Sequence, residues 1–339
     1  MFCHRAAGNE PLHLDIRSFI IGESSAVRKL RNYLPKIAAR DCTVLITGET
    51  GTGKECIAEA IHRFSARRSC PMVCINCAAL PESLLESELF GYEKGAFTGA
   101  HARYAGKLKA ADGGTLLLDE IGDMSLWCQA KLLRALETRE ISPLGGNGKV
   151  AVDIRIIAAT NQQLLPLIGQ NRFRKDLFYR LNVVHLVLPP LRERKEDIPL
   201  LFQHYLNHFN RRFNGQVEGA TPDALAALMR YDWPGNVREL RNLIEFLFID
   251  PHATVACDQL PDAFRHLGEV AGRPEKERLV AALCATNWNK SRAARELNWS
   301  RMTLYRKLEK YQLSPAPPPG ESRREAASEP ALLTERWQA

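Results

Sequence analysis

Cys42-Thr-Val-Leu-Ile-Thr-Gly-Glu-Thr-Gly-Thr-Gly-Lys-Glu55 is an apolar strand that empties into a glycine-rich turn. Gly48, Gly51 and Gly53 can take the positive backbone angles that aim successive N–H groups inward, and Lys54 adds a point charge, so the turn reads as a phosphate cradle. The helix expected from Lys54 to about Ser65 would present its positive N-terminal end to the same anion. Glu49, Thr50 and Thr52 complete the loop. Glu55 stands where the usual pattern has a Ser or Thr hydroxyl for magnesium, a departure that leaves an empty βα turn as the bland alternative.

A second stretch removes most of that ambiguity. Gly113-Gly-Thr-Leu-Leu-Leu-Asp119-Glu120 is an apolar strand running into two adjacent acids, the other half of a nucleotide-hydrolysing site. Asp119 would hold Mg2+, and Glu120 would polarise the attacking water. Met72 to Asn76 reads as a buried strand ending on an amide, and Val152 to Thr160 as another, running into Asn161. A helix through Val27, Leu30 and Leu34 is expected to end at Pro35, and another to start at an N-cap Ser125. Strands alternate with helices, which predicts an α/β fold with a mainly parallel sheet.

The 339 residues allow about two domains, and 45% hydrophobic content is ample for a core. No apolar run reaches the ~18 residues of a membrane span, which predicts no membrane association and a cytoplasmic location. Nine cysteines, an odd number, fit a reducing compartment, and the cluster Cys70, Cys74 and Cys77 lacks a fourth ligand for zinc. The net charge of +7 is uneven: Asn287 to Tyr311 holds seven Lys and Arg against two Glu, a local +5 that marks a nucleic-acid module.

Gly95-Ala-Phe-Thr-Gly-Ala100 is too rich in glycine for regular structure. By residue chemistry alone it either buries Phe97 in an ordered turn or offers it to a partner. Arg174 and Arg180 lie on an expected helix whose bland reading is a basic face. After Pro189-Pro190, helices over Ile198 to Phe213, Pro222 to Tyr231 and Val237 to Phe248 follow with no strand between them, and Arg238 opens the third. A linker from about 251 to 274 precedes three short helices, Glu275 to Thr286, Lys290 to Leu297 and Arg301 to Tyr311. The last two are joined by Asn298-Trp-Ser300 in helix-turn-helix spacing, with Asn298 left-handed and Ser300 as cap. Proline and mixed charge beyond Leu313 predict a disordered tail.

In this order the motifs resemble the bacterial enhancer-binding proteins, AAA+ activators of sigma-54 RNA polymerase, over roughly Phe19 to Leu313. The segment Gly95, Ala96, Phe97, Thr98, Gly99, Ala100 matches that family's sigma-54-contacting loop residue for residue, and Glu55 is typical of its phosphate loop. The resemblance implies a tail over 1–18, an AAA+ core over 19–190, a helical lid over 191–250, a linker over 251–274, a Fis-type helix-turn-helix over 275–313 and a tail over 314–339. It also implies ATP as cofactor with Mg2+ held by Asp119, with Glu55 as a further ligand, and Ile21 and Gly22 as nucleotide contacts. Asn76 resembles the amide that holds the catalytic glutamate idle. Thr160 and Asn161 resemble the first sensor, Arg238 the second, and Arg174 with Arg180 the arginine fingers that reach a neighbouring subunit in a ring, usually a hexamer. Lys290, Arg292, Ser300, Arg301, Thr303 and Arg306 fall where the family contacts double-stranded DNA, with paired inverted half-sites expected.

Fewer than twenty residues precede Phe19, so no control through an attached receiver is expected, and activity is expected to be set by protein level or by a regulatory protein in trans. The expected activity is promoter opening by sigma-54 polymerase, driven by ATP hydrolysis. Two rival readings are a DNA-binding regulator whose ATPase is vestigial or switch-only, and an AAA+ remodeller of another substrate.

Overall fold

The computed structural model describes residues 16–146, 148–262 and 264, and further on 279, 280, 282, 283, 286, 288–297, 299–311 and 313. The chain divides into two units, Met1–Leu267 and Gly268–Ala339. The α/β part of the first unit comprises α1 (Ser25–Ala38), β1 (Val44–Thr47), α2 (Lys54–Arg63), β2 (Met72–Asn76), α3 (Glu82–Phe90), α4 (Gly106–Ala110), β3 (Thr115–Asp119), α5 (Leu126–Thr138), β4 (Glu140–Ile141), β5 (Val150–Ala151), β6 (Arg155–Thr160), α6 (Leu164–Gly169), α7 (Lys175–Leu181) and β7 (Val184–Val187). The lid follows as α8 (Ile198–Phe213), β8 (Gly219–Ala220), α9 (Pro222–Arg230), α10 (Asn236–Leu247) and β9 (Thr254–Val255).

Five strands form one parallel sheet in the order β2-β3-β6-β1-β7. The register sets Thr47 beside Thr160 and Asn76 beside Asp119. The phosphate loop, the acids, Asn76 and the Thr160 turn therefore leave the sheet at one edge, the carboxyl edge where open α/β sheets bind ligands. Leu116, Leu118, Ile156 and Ala158 face one helical layer, while Val44, Ile46, Leu117, Ile157 and Ala159 face the other.

Several elements depart from the sequence reading. α1 continues through Pro35 to Ala38. The missing proline N–H is outweighed because Leu34, Ile37 and Ala38 are all buried beneath it. β2 is an edge strand with only Ile75 buried, so it is not the buried strand its apolar sequence predicts. The stretch read as one strand from Val152 is split: Val150–Ala151 pairs antiparallel with Glu140–Ile141, and the sheet strand starts at Arg155.

In the lid, β8 lies between α8 and α9 and pairs with β9, where the sequence shows no strand. Two residues are too few for a periodic signal. Val255, Leu260 and Phe264 join Trp233, Phe209 and Leu240 in the lid core, so the first half of the expected linker is packed structure.

The second unit contains α11 (Lys290–Glu296) and α12 (Arg301–Lys310). Leu279, Leu283, Ala293, Ala294, Leu304 and Leu308 form its core. Ser300 caps α12 by accepting from the Thr303 N–H, as the sequence predicts. Asn298, residues 1–15, most of the helix expected from Glu275, the rest of the linker and the proline-rich tail lie outside the described residues.

Candidate functional site

A cavity of about 150 Å3 opens at the carboxyl edge, lined from the core by Thr50, Gly51, Gly53, Lys54, Glu55, Cys56, Asp119 and Glu120 and from the lid by Tyr205, Val237, Arg238 and Arg241. Lys54 is 7% exposed and donates to the carbonyls of Gly48 (2.9 Å) and Glu49 (3.3 Å). Its Nζ lies 3.7 Å from Glu120 Oε1. Gly51 and Gly53 have φ of 80° and 104°, so the loop uses the left-handed region there. The Thr52 hydroxyl donates to the Glu49 carbonyl at 2.8 Å and stiffens the same turn.

Glu120 follows β3 with φ 51°, an uncommon conformation for a non-glycine residue. Its Oε2 accepts from the Asn161 N–H at 2.9 Å, and the Asn161 side chain donates to Thr50 Oγ1 at 2.9 Å. Asn161 thus bridges the acid pair to the phosphate loop. Thr160 is fully buried and its hydroxyl accepts from the Gln162 N–H. Burial, then the charge of Glu120, pushes the Asp119 carboxyl above its ordinary range.

Asn76 lies at the end of β2, beside the acid pair. Its Nδ2 donates to Asp119 Oδ2 at 3.3 Å, and its Oδ1 accepts from the N–H groups of Ala78 and Ala79. Its partner here is therefore Asp119 and not Glu120, because the parallel register sets Asn76 beside Asp119.

Glu55 and Asp119 line the same cavity, and no group of three or more metal-ligating side chains occurs among the described residues. That set fits Mg2+, which is held by one or two carboxylates completed by phosphate and water, and does not fit a protein-enclosed zinc.

Ile21 and Gly22 are not among the cavity-lining residues. Ile21 packs against the lid core, and a Cβ on Gly22 (φ 137°) would come 2.5 Å from Asp197 Cγ. Fully buried Asp197 accepts from the N–H groups of Glu23 (2.6 Å) and Ser24 (2.8 Å) and from the Ser24 hydroxyl (2.6 Å). Glu49 is likewise turned to the lid: Arg192 donates to it from Nη1 and Nη2, with Asn236 Nδ2 as a third donor. These bonds, Arg192 first, hold its carboxyl down at about 2.

Arg174 and Arg180 do not line this cavity. Arg174 precedes α7 and pairs with Asp176 at 2.7 Å, whereas Arg180 donates to the Leu136 carbonyl at 3.0 Å. The residues missed by sequence reasoning are Tyr205, Arg241, Cys56, Asp197, Arg192 and Asn236. Arg241 had a signal, lying one helical turn after Arg238. Burial pushes the Tyr205 hydroxyl up to about 12.

The loop from Gly95 to Ala100 is an ordered turn. Tyr92 and Tyr104 exchange backbone hydrogen bonds at its base, and the Gly95 N–H donates to the Ala100 carbonyl at 2.9 Å. Ala96 packs against Gly145, and Ala100 is buried. Phe97 leans edge-on against Tyr92 (4.9 Å) yet stays 45% exposed. The turn is thus ordered without burying Phe97.

On the second unit, Lys290, Arg292, Ser300, Arg301 and Arg306 are exposed and Thr303 is partly buried, while Leu304 and Leu308 pack inward. Lys290 sits over the Tyr305 ring at 5.0 Å. The Ser300 and Thr303 hydroxyls are 2.8 Å apart, occupied with capping.

The Sigma-54 interaction domain matches residues 20–187, an AAA+ ATPase lid domain matches 192–277, and a bacterial regulatory protein domain of the Fis family matches 273–311. The transcriptional regulatory protein ZraR of Salmonella typhimurium is 49% identical over 299 residues, covering 85% of this chain and 68% of that protein. The regulatory protein AtoC of Escherichia coli is 46% identical over 315 residues, with 88% and 68% covered. The solved structure of NtrX from Brucella abortus in complex with ATP superposes with a TM-score of 0.67 at 38% identity, covering 86% of this chain and 69% of that one. With its phosphate loop, acid pair, lid and C-terminal helix-turn-helix all accounted for, the chain belongs to the family of sigma-54-dependent transcriptional activators.

Proposed function

We propose that the protein hydrolyses ATP in a ring, a hexamer, and uses that work to convert the closed complex of sigma-54 RNA polymerase into the open one. The observation that carries this reading is the convergence of Lys54, Asp119, Glu120 and the lid's Arg238 on one cavity. Lys54 neutralises the outer phosphates, and Glu120 orients water for in-line attack on the γ-phosphorus. Asp119 and Glu55 would hold Mg2+, which would neutralise charge at the phosphates. Asn161, bonded to Glu120 and Thr50 at once, links the water-orienting acid to the loop that grips the phosphates. Arg174 and Arg180, which do not line the cavity of their own chain, act on the neighbouring subunit's site.

The turn carrying Phe97 and Thr98 transmits the work to sigma-54, and Lys290, Arg292, Arg301 and Arg306, with Ser300 and Thr303, dock α12 on an inverted-repeat enhancer upstream. Control comes from protein level or a regulatory protein in trans. Among the described residues no helix is long and apolar enough to cross a membrane, and the reading places the protein in the cytoplasm.

A steady-state phosphate-release assay, run beside open-complex formation at a sigma-54 promoter, tests the whole. Both signals are expected. Nucleotide binding without turnover would return the protein to a switch-only regulator, and turnover without promoter opening to a remodeller of some other substrate.

A further inference from the structure

The lid grips the phosphate loop through the loop's own backbone. Three consecutive carbonyls, those of Thr50, Gly51 and Thr52, accept hydrogen bonds from Asn236 Nδ2 (3.0 Å), the Arg238 N–H (3.3 Å) and Arg194 Nη2 (2.9 Å). Asn236 Nδ2 also reaches Glu49 Oε2 at 3.2 Å, and its Oδ1 accepts from the Leu191 N–H at 2.7 Å. Asn236 is fully buried, with φ 53°. The surfaces meet without slack, since a Cβ on Gly51 would lie 2.3 Å from the Gly235 carbonyl oxygen. One side chain thus ties the phosphate loop, the entry to the lid and the first turn of α10 together, two residues before Arg238.

A buried amide with all of these bonds made is rigid, and losing it would leave the Thr50 carbonyl and the Leu191 N–H without these partners. The consequence reaches beyond stability. Arg238 stands on a long, flexible side chain, and its place beside the phosphates is only as well fixed as the backbone that carries it. We propose that Asn236 is a positioning residue for nucleotide binding: by pinning the start of α10 to the phosphate loop it fixes Arg238 in the cavity, so that loop and arginine form one cradle. This rests on the cavity being the nucleotide site.

The test is a double-mutant cycle on the full chain, read by titration with fluorescent mant-ATP in excess Mg2+. Asn236→Gly is the informative variant, because glycine adopts φ 53° freely and only the side-chain bonds are lost. Asn236→Gly should weaken mant-ATP binding by about tenfold, the scale of one lost hydrogen-bonded anchor. In the Arg238→Ala background the same change should weaken it by less than about twofold, since the residue it positions is gone.

The same factor in both backgrounds overturns the proposal, because a general packing role costs equally with or without Arg238. Undiminished binding by Asn236→Gly overturns it as well. Should Asn236→Gly not fold, Asn236→Asp keeps the acceptor for the Leu191 N–H, loses both donors and runs through the same cycle. If the wild type fails to bind mant-ATP, the nucleotide reading itself falls and the proposal with it, which separates the two failures.

Discussion

Glu120 shares the cavity with Lys54 and Asp119 but differs from them in what holds it: the Asn161 N–H grips one of its oxygens, and Lys54 lies near the other. Glu120→Gln keeps the shape of this side chain and removes its charge, so binding and chemistry can be read separately. Glu120→Gln is expected to bind mant-ATP like the wild type while phosphate release falls by at least about 100-fold, the usual scale for losing a general base. Lys54→Ala should instead lose binding. Near-normal turnover by Glu120→Gln would remove Glu120 from its role. Glu49 makes a different prediction, on stability. Arg192 and then Asn236 hold its carboxyl down at about 2, from an ordinary 4.5. A depressed folded value means that the contribution is complete above the unfolded value and is lost as pH falls. The gap in urea midpoint between wild type and Glu49→Gln should therefore be constant above about pH 4.5, shrink below it and vanish near pH 2. The pair is substantially exposed, so the gap should be small; a gap that widened in acid would contradict the assignment.

At the scale of elements, the turn from Gly95 to Ala100 is stiff at its base and exposed at Phe97. It lies outside the cavity, so its contribution can be removed without touching hydrolysis. Thr98→Ala and Phe97→Ala are expected to retain phosphate release within about twofold and to abolish open-complex formation, since an aromatic anchor can be worth about 2 kcal/mol or more at an interface. Capture of purified sigma-54 by the protein trapped with ADP–aluminium fluoride gives the same answer independently. Equal capture by wild type and Thr98→Ala would make this an ordinary surface turn. The glycines announced an irregular segment, and only the resemblance to the sigma-54-contacting loop pointed to an exposed Phe97; residue chemistry alone left its exposure open. That depended on Tyr92, Tyr104 and Gly145, which close on the turn from the flanking chain and from the region of β4 and β5.

For the molecule as a whole, neither Arg174 nor Arg180 lines the cavity of its own chain, which is the arrangement a site completed by a neighbour requires. Mixing an Arg174→Ala chain with a Lys54→Ala chain should restore part of the phosphate release that each lacks alone, because some interfaces then pair an intact phosphate loop with an intact arginine. No recovery, with assembly intact, would count against action between subunits. The sequence by itself determined the α/β fold, the phosphate loop, the acid pair at the end of β3 and the cap at Ser300. Each of these is written in contiguous residues, where strand, turn and helix chemistry act over a few positions. Only the tertiary structure decided which residues complete the site from the lid. Arg192 and Glu49 are 143 positions apart, Asn236 and Glu49 187, and Asp197 and Ser24 173. It also turned Asn76 to Asp119 through strand register and drew Val255, Leu260 and Phe264 into the lid core. The physical reason is the same in each case: a buried polar or apolar group takes whichever partner the packed fold brings beside it, and over such separations no local pattern in the chain records that choice.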